Sequence, residues 1–188
     1  MCGIAGLFYP AVAKPVEPAR LRVMGDAMAH RGPDGSGEWT APGVGFAHRR
    51  LSIIDVVGSP QPMVDAAARY AIVFNGEIYN YRDLRAELQG RGRVFTSEGD
   101  TEVLLQGYAE WGPSLLDRLN GMFAFAIHDA KTQTLFLARD RLGVKPLHYV
   151  ELADGALAFA SELKGLAAHP LLRRIPDVCA VEDFLAFG

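Results

Sequence analysis

The sequence predicts an α+β protein built on layered antiparallel sheet. Apolar runs with strand character come in pairs joined by short polar turns, as antiparallel hairpins require. Segments with helical spacing cluster in the middle of the chain and do not alternate with strands one by one. The 188 residues, 49% apolar and 22% charged, suffice to bury a core without a metal or disulfide staple.

In order along the chain, Cys2 to Tyr9 reads as a short buried strand of small and β-branched residues ended by Pro10. Pro18 to Ala29 is helical, with Pro18 at its start and Leu21, Met24 and Met28 on one face. His30 to Gly35 is a loop by its Gly and Pro content, and Gly43 to His48 and Leu51 to Val56 are strand segments before a turn at Gly58 to Pro62. Tyr70 to Phe74 is a β-rich run. Tyr81 to Gln89 is a helix stopped by Gly90 and Gly92. Asp100 to Trp111 is a helix with Asp100 or Thr101 as N-cap, and Leu115 to Leu119 is a further short helix. Met122 to His128 and Thr134 to Ala138 form a hairpin, as do His148 to Leu152 and Ala156 to Ala160 around Asp154-Gly155. Glu162 to Ala168 is helical, and Val181 to Phe187 begins a last helix on which the sequence breaks off, as a domain cut from a longer chain would.

Composition excludes several classes. Lys+Arg is 19 and Asp+Glu is 22, a net charge of −3 with no basic block, so nucleic acid is not an expected partner. No apolar run approaches the roughly 20 residues that span a bilayer, so no membrane partner is expected either. The two cysteines, Cys2 and Cys179, lack zinc spacing. A disulfide between them is possible by arithmetic, but nothing else marks the chain as secreted. The N-terminus has no basic region of a signal peptide, and a cytoplasmic location is expected.

Cys2 follows the initiator Met, and its side chain is small enough for Met1 to be removed. Cys2 would then carry a thiol and a free α-amine that titrates near ~7.7–8.0, low enough to serve as base toward its own thiol. Position alone also fits a small apolar residue starting a strand.

Seven motifs follow one another: Met1-Cys2-Gly3-Ile4-Ala5-Gly6, His30-Arg31-Gly32-Pro33-Asp34, the run His48 to Asp55, Asn75-Gly76-Glu77-Ile78-Tyr79-Asn80, Gly99-Asp100-Thr101-Glu102-Val103, Gly121 to Ala126, and Arg139 to Leu147. Together they resemble the class II glutamine amidotransferase domain of asparagine synthetase-like enzymes, from Cys2 to about Leu166. The resemblance implies an N-terminal nucleophile (Ntn) hydrolase fold, a four-layer αββα sandwich of two antiparallel sheets. Residues 1–170 would form the amidotransferase domain and 171–188 the start of a linker to a synthetase domain outside this sequence.

The implied activity is hydrolysis of the glutamine side-chain amide to glutamate and ammonia through a thioester on Cys2. Asn75 and Gly76 match the oxyanion hole, which needs a side-chain amide and a closely approached backbone. An Asn-Gly pair following a strand also fits a type I′ hairpin turn. Arg50, the arginine of His-x-Arg-Leu, matches the residue that binds the glutamine α-carboxylate, and a guanidinium suits a carboxylate geometrically. The preceding Arg49 reads as a solvated surface charge. Asp100, with Glu77 nearby, matches the site of the α-ammonium, and the backbone of Leu51 to Ile54, with Leu51 and Ile53 as binding residues, would line the pocket. Arg31, Gly32 and Asp34 would shape its wall. No histidine base is implied, and Lys145 and Lys164 read as structural or interdomain residues. The family pattern expects no cofactor or metal in this domain, with ATP and Mg used by the synthetase domain of the same longer chain, and homodimers are common. Two alternatives stay open: an acceptor other than aspartate, or a non-catalytic scaffold of the same fold.

Overall fold

Strand pairing divides the chain into two antiparallel sheets. The computed structural model describes residues 1–10, 14–51 and 59–187. The first sheet has five strands in the order β2 (Gly35–Ala41), β3 (Val44–Arg50), β1 (Gly3–Phe8), β9 (Leu157–Ala160), β8 (His148–Glu151). The second has four, in the order β4 (Met63–Val64), β5 (Tyr70–Ile78), β6 (Gly121–Asp129), β7 (Thr134–Arg139).

Period-two alternation sorts the side chains into three cores. Ile4 and Phe8 of β1, Val44 and Phe46 of β3, Ala71 and Val73 of β5, and Ala124 and Ala126 of β6 share the core between the sheets. The residues between them point outward. Ala5 and Leu7 meet Leu21 and Met24 of α1 (Pro18–Asp26) and Leu166 of α4 (Leu163–Ala167). Ile72, Phe74, Phe123 and Phe125 meet Leu84 and Leu88 of α2 (Tyr81–Gly90) and Val103 and Leu104 of α3 (Asp100–Trp111). The layers therefore run α, β, β, α. Alanines on the second sheet's inner face leave room for Phe46 and Phe159, so the two sheets approach closely. α3 ends at Gly112, whose φ of 58° lies in the left-handed region that glycine adopts without penalty. The last helix, α5 (Val178–Phe187), has no buried residue.

Several elements differ from expectation. β5 runs on through Asn75, Gly76 and Glu77 to Ile78, paired with β6 over its whole length, so Asn75-Gly76 is neither a turn nor past the strand. β2 occupies Gly35–Ala41, where Gly content hid a strand, and its pairing with β3 extends to Gly35 opposite Arg50. The expected helix Leu115 to Leu119 is the end of a 3₁₀ segment, Gly112–Arg118, which Leu119 follows in extended conformation. Leu51 lies just past β3, and the rest of the expected strand to Val56 is outside the described residues.

Candidate active site

At one end of the sandwich the sheets part into a cleft of about 80 Å³. Cys2, Arg50, Leu51, Asn75, Gly76, Glu77 and Asp100 all line it, together with Met1, Gln61, Met122 and Lys145. Every expected catalytic and binding residue among the described ones is thus in one place. Ile53 and the remainder of the 52–54 backbone lie outside the described residues.

Cys2 sits one residue ahead of β1 and continues the Ile4–Phe8 face toward the opposite sheet. Its Sγ lies against the Leu51 backbone, 3.4 Å from the N–H that donates to it and 3.5 Å from the carbonyl oxygen. Its own carbonyl oxygen accepts from Arg31 Nε at 2.8 Å, and Arg31 Nη1 donates to Glu162 Oε1 at 2.7 Å. Burial pushes the Glu162 carboxyl up, but hydrogen bonds from Arg31, His30 and Lys164 outweigh it and bring it down to about 2. The next residue back, Ser161, accepts from the Ile4 N–H at 3.0 Å and donates its own N–H to the Ile4 carbonyl at 2.8 Å. The β9–α4 junction therefore grips the Cys2 end of β1 at two consecutive points.

Asn75, on the second sheet, lines the same cleft as Cys2. It is 1% exposed, and its Nδ2 has no hydrogen-bond partner among the described residues. A buried amide donor without an acceptor is costly, and this one belongs to a residue that lines the cleft. Gly76 follows on the other face of β5, where a Cβ would collide with the Met122 carbonyl oxygen. Only glycine lets the two backbones pack there.

Asp100 is the first residue of α3, and Gly99 holds the N-cap position. The carboxylate accepts from the N–H groups of Asp100 and Thr101 at the start of its own helix. It also reaches across to the second sheet, where Oδ2 accepts from the Ile78 N–H at 3.0 Å. Burial pushes its carboxyl up to about 6, against the Ile78 bond and with the Glu77 charge adding to the rise. Gln61 ties these parts together: its Oε1 accepts from the Phe74 N–H at 2.6 Å and its Nε2 donates to Thr101 Oγ1 at 3.2 Å. It read only as part of a turn, since nothing in a Pro-Gln-Pro run announces a contact with a distant strand.

The two neighbouring arginines separate cleanly. Arg50 lines the cleft, whereas Arg49 points to the opposite face of β3, where it pairs with Asp26 and donates to the Gly25 carbonyl at the end of α1. Arg49 is a helix-end anchor and not a solvated charge. Arg31, Gly32 and Asp34 support the cleft from behind and do not form its wall: Arg31 holds Cys2, a Cβ on Gly32 would strike the Arg49–Arg50 backbone, and the Asp34 N–H donates to the Arg50 carbonyl at 3.0 Å. No histidine lines the cleft among the described residues. His48 is buried between the sheets, and burial brings it down to about 4, so it is neutral at ordinary pH. Lys145, which read as structural or interdomain, is 6% exposed inside the cleft. Its loop is held by Asp140, which accepts the N–H groups of Phe123, Val144 and Lys145. Cys2 and Cys179 are both free thiols.

Among the described residues no cluster of three His, Cys, Asp or Glu could hold a metal, and no helix is long and apolar enough to cross a membrane.

The chain is similar in sequence and in fold to known proteins. A glutamine amidotransferase domain model matches residues 1–188. The chain is 42% identical over 190 residues to asparagine synthetase (glutamine-hydrolysing) 3 of Bacillus subtilis, covering 100% of this chain and 31% of that protein. It is 41% identical over 183 residues to asparagine synthetase B of Escherichia coli, covering 94% of this chain and 31% of that one. This chain thus spans less than a third of the length of these relatives. Among solved structures, glutamine phosphoribosylpyrophosphate amidotransferase of B. subtilis, in complex with ADP and GMP, superimposes with a TM-score of 0.71 at 21% identity, over 89% of this chain and 43% of that one. At that identity the likeness concerns the fold alone, an αββα sandwich of two antiparallel sheets. The chain belongs to the glutamine amidotransferase domain family.

Proposed function

We propose that this chain is the glutaminase part of a longer asparagine synthetase-like enzyme. It hydrolyses the side-chain amide of glutamine to glutamate and ammonia, and the ammonia serves an ATP- and Mg-dependent amidation of aspartate by a synthetase part. The observation that carries the reading is that the Cys2 thiol shares its cleft with Asn75, whose buried amide donor lacks an acceptor among the described residues.

In this reading, removal of Met1 frees the Cys2 α-amine. The amine takes the thiol proton as Sγ attacks the amide carbon, and the oxyanion of the tetrahedral adduct accepts from Asn75 Nδ2 and the Gly76 N–H. The amine then gives the proton to the departing nitrogen, so ammonia leaves and a thioester remains. Water, deprotonated by the same amine, attacks the thioester and releases glutamate. Arg50 holds the α-carboxylate, and Asp100 and Glu77 hold the α-ammonium. Leu51 and Ile53 line the glutamine side of the cleft. The test is glutamate release from glutamine by protein verified by mass to begin at Cys2, beside Cys2→Ala. The reading requires release that disappears in the variant; release that persists in Cys2→Ala would overturn it.

A further inference from the structure

Lys145 brings a buried positive charge into the cleft, and among the described residues no carboxylate pairs with it directly. Its Nζ donates to the thioether of Met1 at 3.2 Å, and among the described residues it has no ion pair. A methionine sulfur is a weak acceptor and a poor exchange for water. The residue that provides it is the one whose removal the glutaminase reading requires, and only Met1 itself separates that sulfur from the Cys2 nitrogen. Once Met1 is gone, the ammonium borders the space that Met1 occupied, beside the new α-amine.

The other charges around this amine are mixed. Glu77 and Asp100 line the same cleft and favour a protonated amine, while Arg50 in the cleft and Arg31 on the Cys2 carbonyl oppose it, the latter offset by Glu162. An amine that must accept the thiol proton has to be neutral beforehand, and two carboxylates in the cleft work against that.

We propose that Lys145 is the electrostatic partner of the Cys2 α-amine, and that its ammonium keeps the amine unprotonated at neutral pH. This rests on the N-terminal nucleophile reading above. Asp140 fixes the backbone from which the Lys145 side chain projects, through the N–H groups of Val144 and Lys145 in the loop and of Phe123 on β6.

The experiment is the pH dependence of two reactions in protein that begins at Cys2, for Lys145→Met, Lys145→Gln and Lys145→Arg. The first is glutaminase kcat/KM. The second is thiazolidine formation with acetaldehyde, read on the N-terminal peptide by mass; the neutral amine adds to the aldehyde, water leaves, and the thiol closes the ring. The second reaction needs no turnover, so it decides the role of Lys145 even if the wild-type protein releases no glutamate and the glutaminase reading fails. In Lys145→Met and Lys145→Gln, both acid limbs should move to higher pH by about one unit, with rates about tenfold lower at pH 7 that converge on wild type above about pH 9. Lys145→Arg should follow wild type. An unmoved limb, or a loss uniform across pH, overturns the proposal.

Discussion

The guanidinium of Arg31 donates to the carbonyl oxygen of Cys2 at 2.8 Å, and the same guanidinium is held by Glu162. Cys2 is therefore oriented through its backbone by a carboxylate 160 residues further along the chain. Glu162→Gln should lower glutaminase kcat about tenfold with KM for glutamine within about twofold, because a small misplacement of the nucleophile is costly. In an Arg31→Gln background the same change should add little, since the two side chains act as a unit. Additive losses in the double variant would contradict this.

Arg50 and Arg49 are adjacent in sequence and lie on opposite faces of β3. Arg50→Lys should raise KM for glutamine about tenfold to hundredfold, the value of a charge-assisted bidentate bond. Arg49→Lys should leave KM within about twofold and change only the anchoring of α1. Steady-state kinetics on both variants reads this directly, and the reverse ranking would assign the α-carboxylate to the wrong arginine.

Asp100 carries a pH prediction. With its carboxyl at about 6, it loses the negative charge that an α-ammonium needs as pH falls below that value. In Cys2→Ala, glutamine should bind about tenfold more weakly at pH 5 than at pH 7 by calorimetry, and Asp100→Asn should abolish the dependence. The effect on folding has the opposite sign. A carboxyl raised from 3.8 in the unfolded chain binds more protons when folded, so its contribution to stability is greatest at low pH and is lost as pH rises through about 6. His48 opposes it: lowered to about 4 in the folded chain from 6.5, it favours the folded state above 6.5 and withdraws that contribution as pH falls toward 4.

Asn75→Ala should lower kcat about 10²- to 10³-fold without weakening glutamine binding, as loss of one oxyanion donor does elsewhere. Because Asn75 Nδ2 is buried without a partner, the variant should be no less stable than wild type by thermal melt. A large fall in stability would mean that the amide serves packing and not the oxyanion.

Much of this was legible in sequence. The cores at β1, β5 and β6 follow from alternation, and the cleft residues were found because their motifs resemble a known family. Residues such as Asn75 and Asp100 carry intrinsic signals that point elsewhere, to a turn and to a helix cap. In the fold Asn75 is clamped into a strand by β6, and the Asp100 carboxylate bonds Ile78 of β5 as well as the start of its own helix. Gln61 and Glu162 left no local signal, because each bonds a segment far away in the chain, and Lys145 stood in a motif that did not say it enters the cleft. The β2 strand was hidden by its glycines; Gly37 packs where a Cβ would strike the Gln61 carbonyl, a requirement set by a neighbour and not by strand propensity.

The central claim is that Cys2 acts as an N-terminal residue. The most direct measurement compares glutamate release by two samples of the same protein, one shown by intact mass to begin at Cys2 and one shown to retain Met1. The account predicts steady release from the first and a loss of about a hundredfold or more in the second, where Cys2 has a peptide nitrogen and no amine to carry protons. Equal rates from the two samples would contradict it.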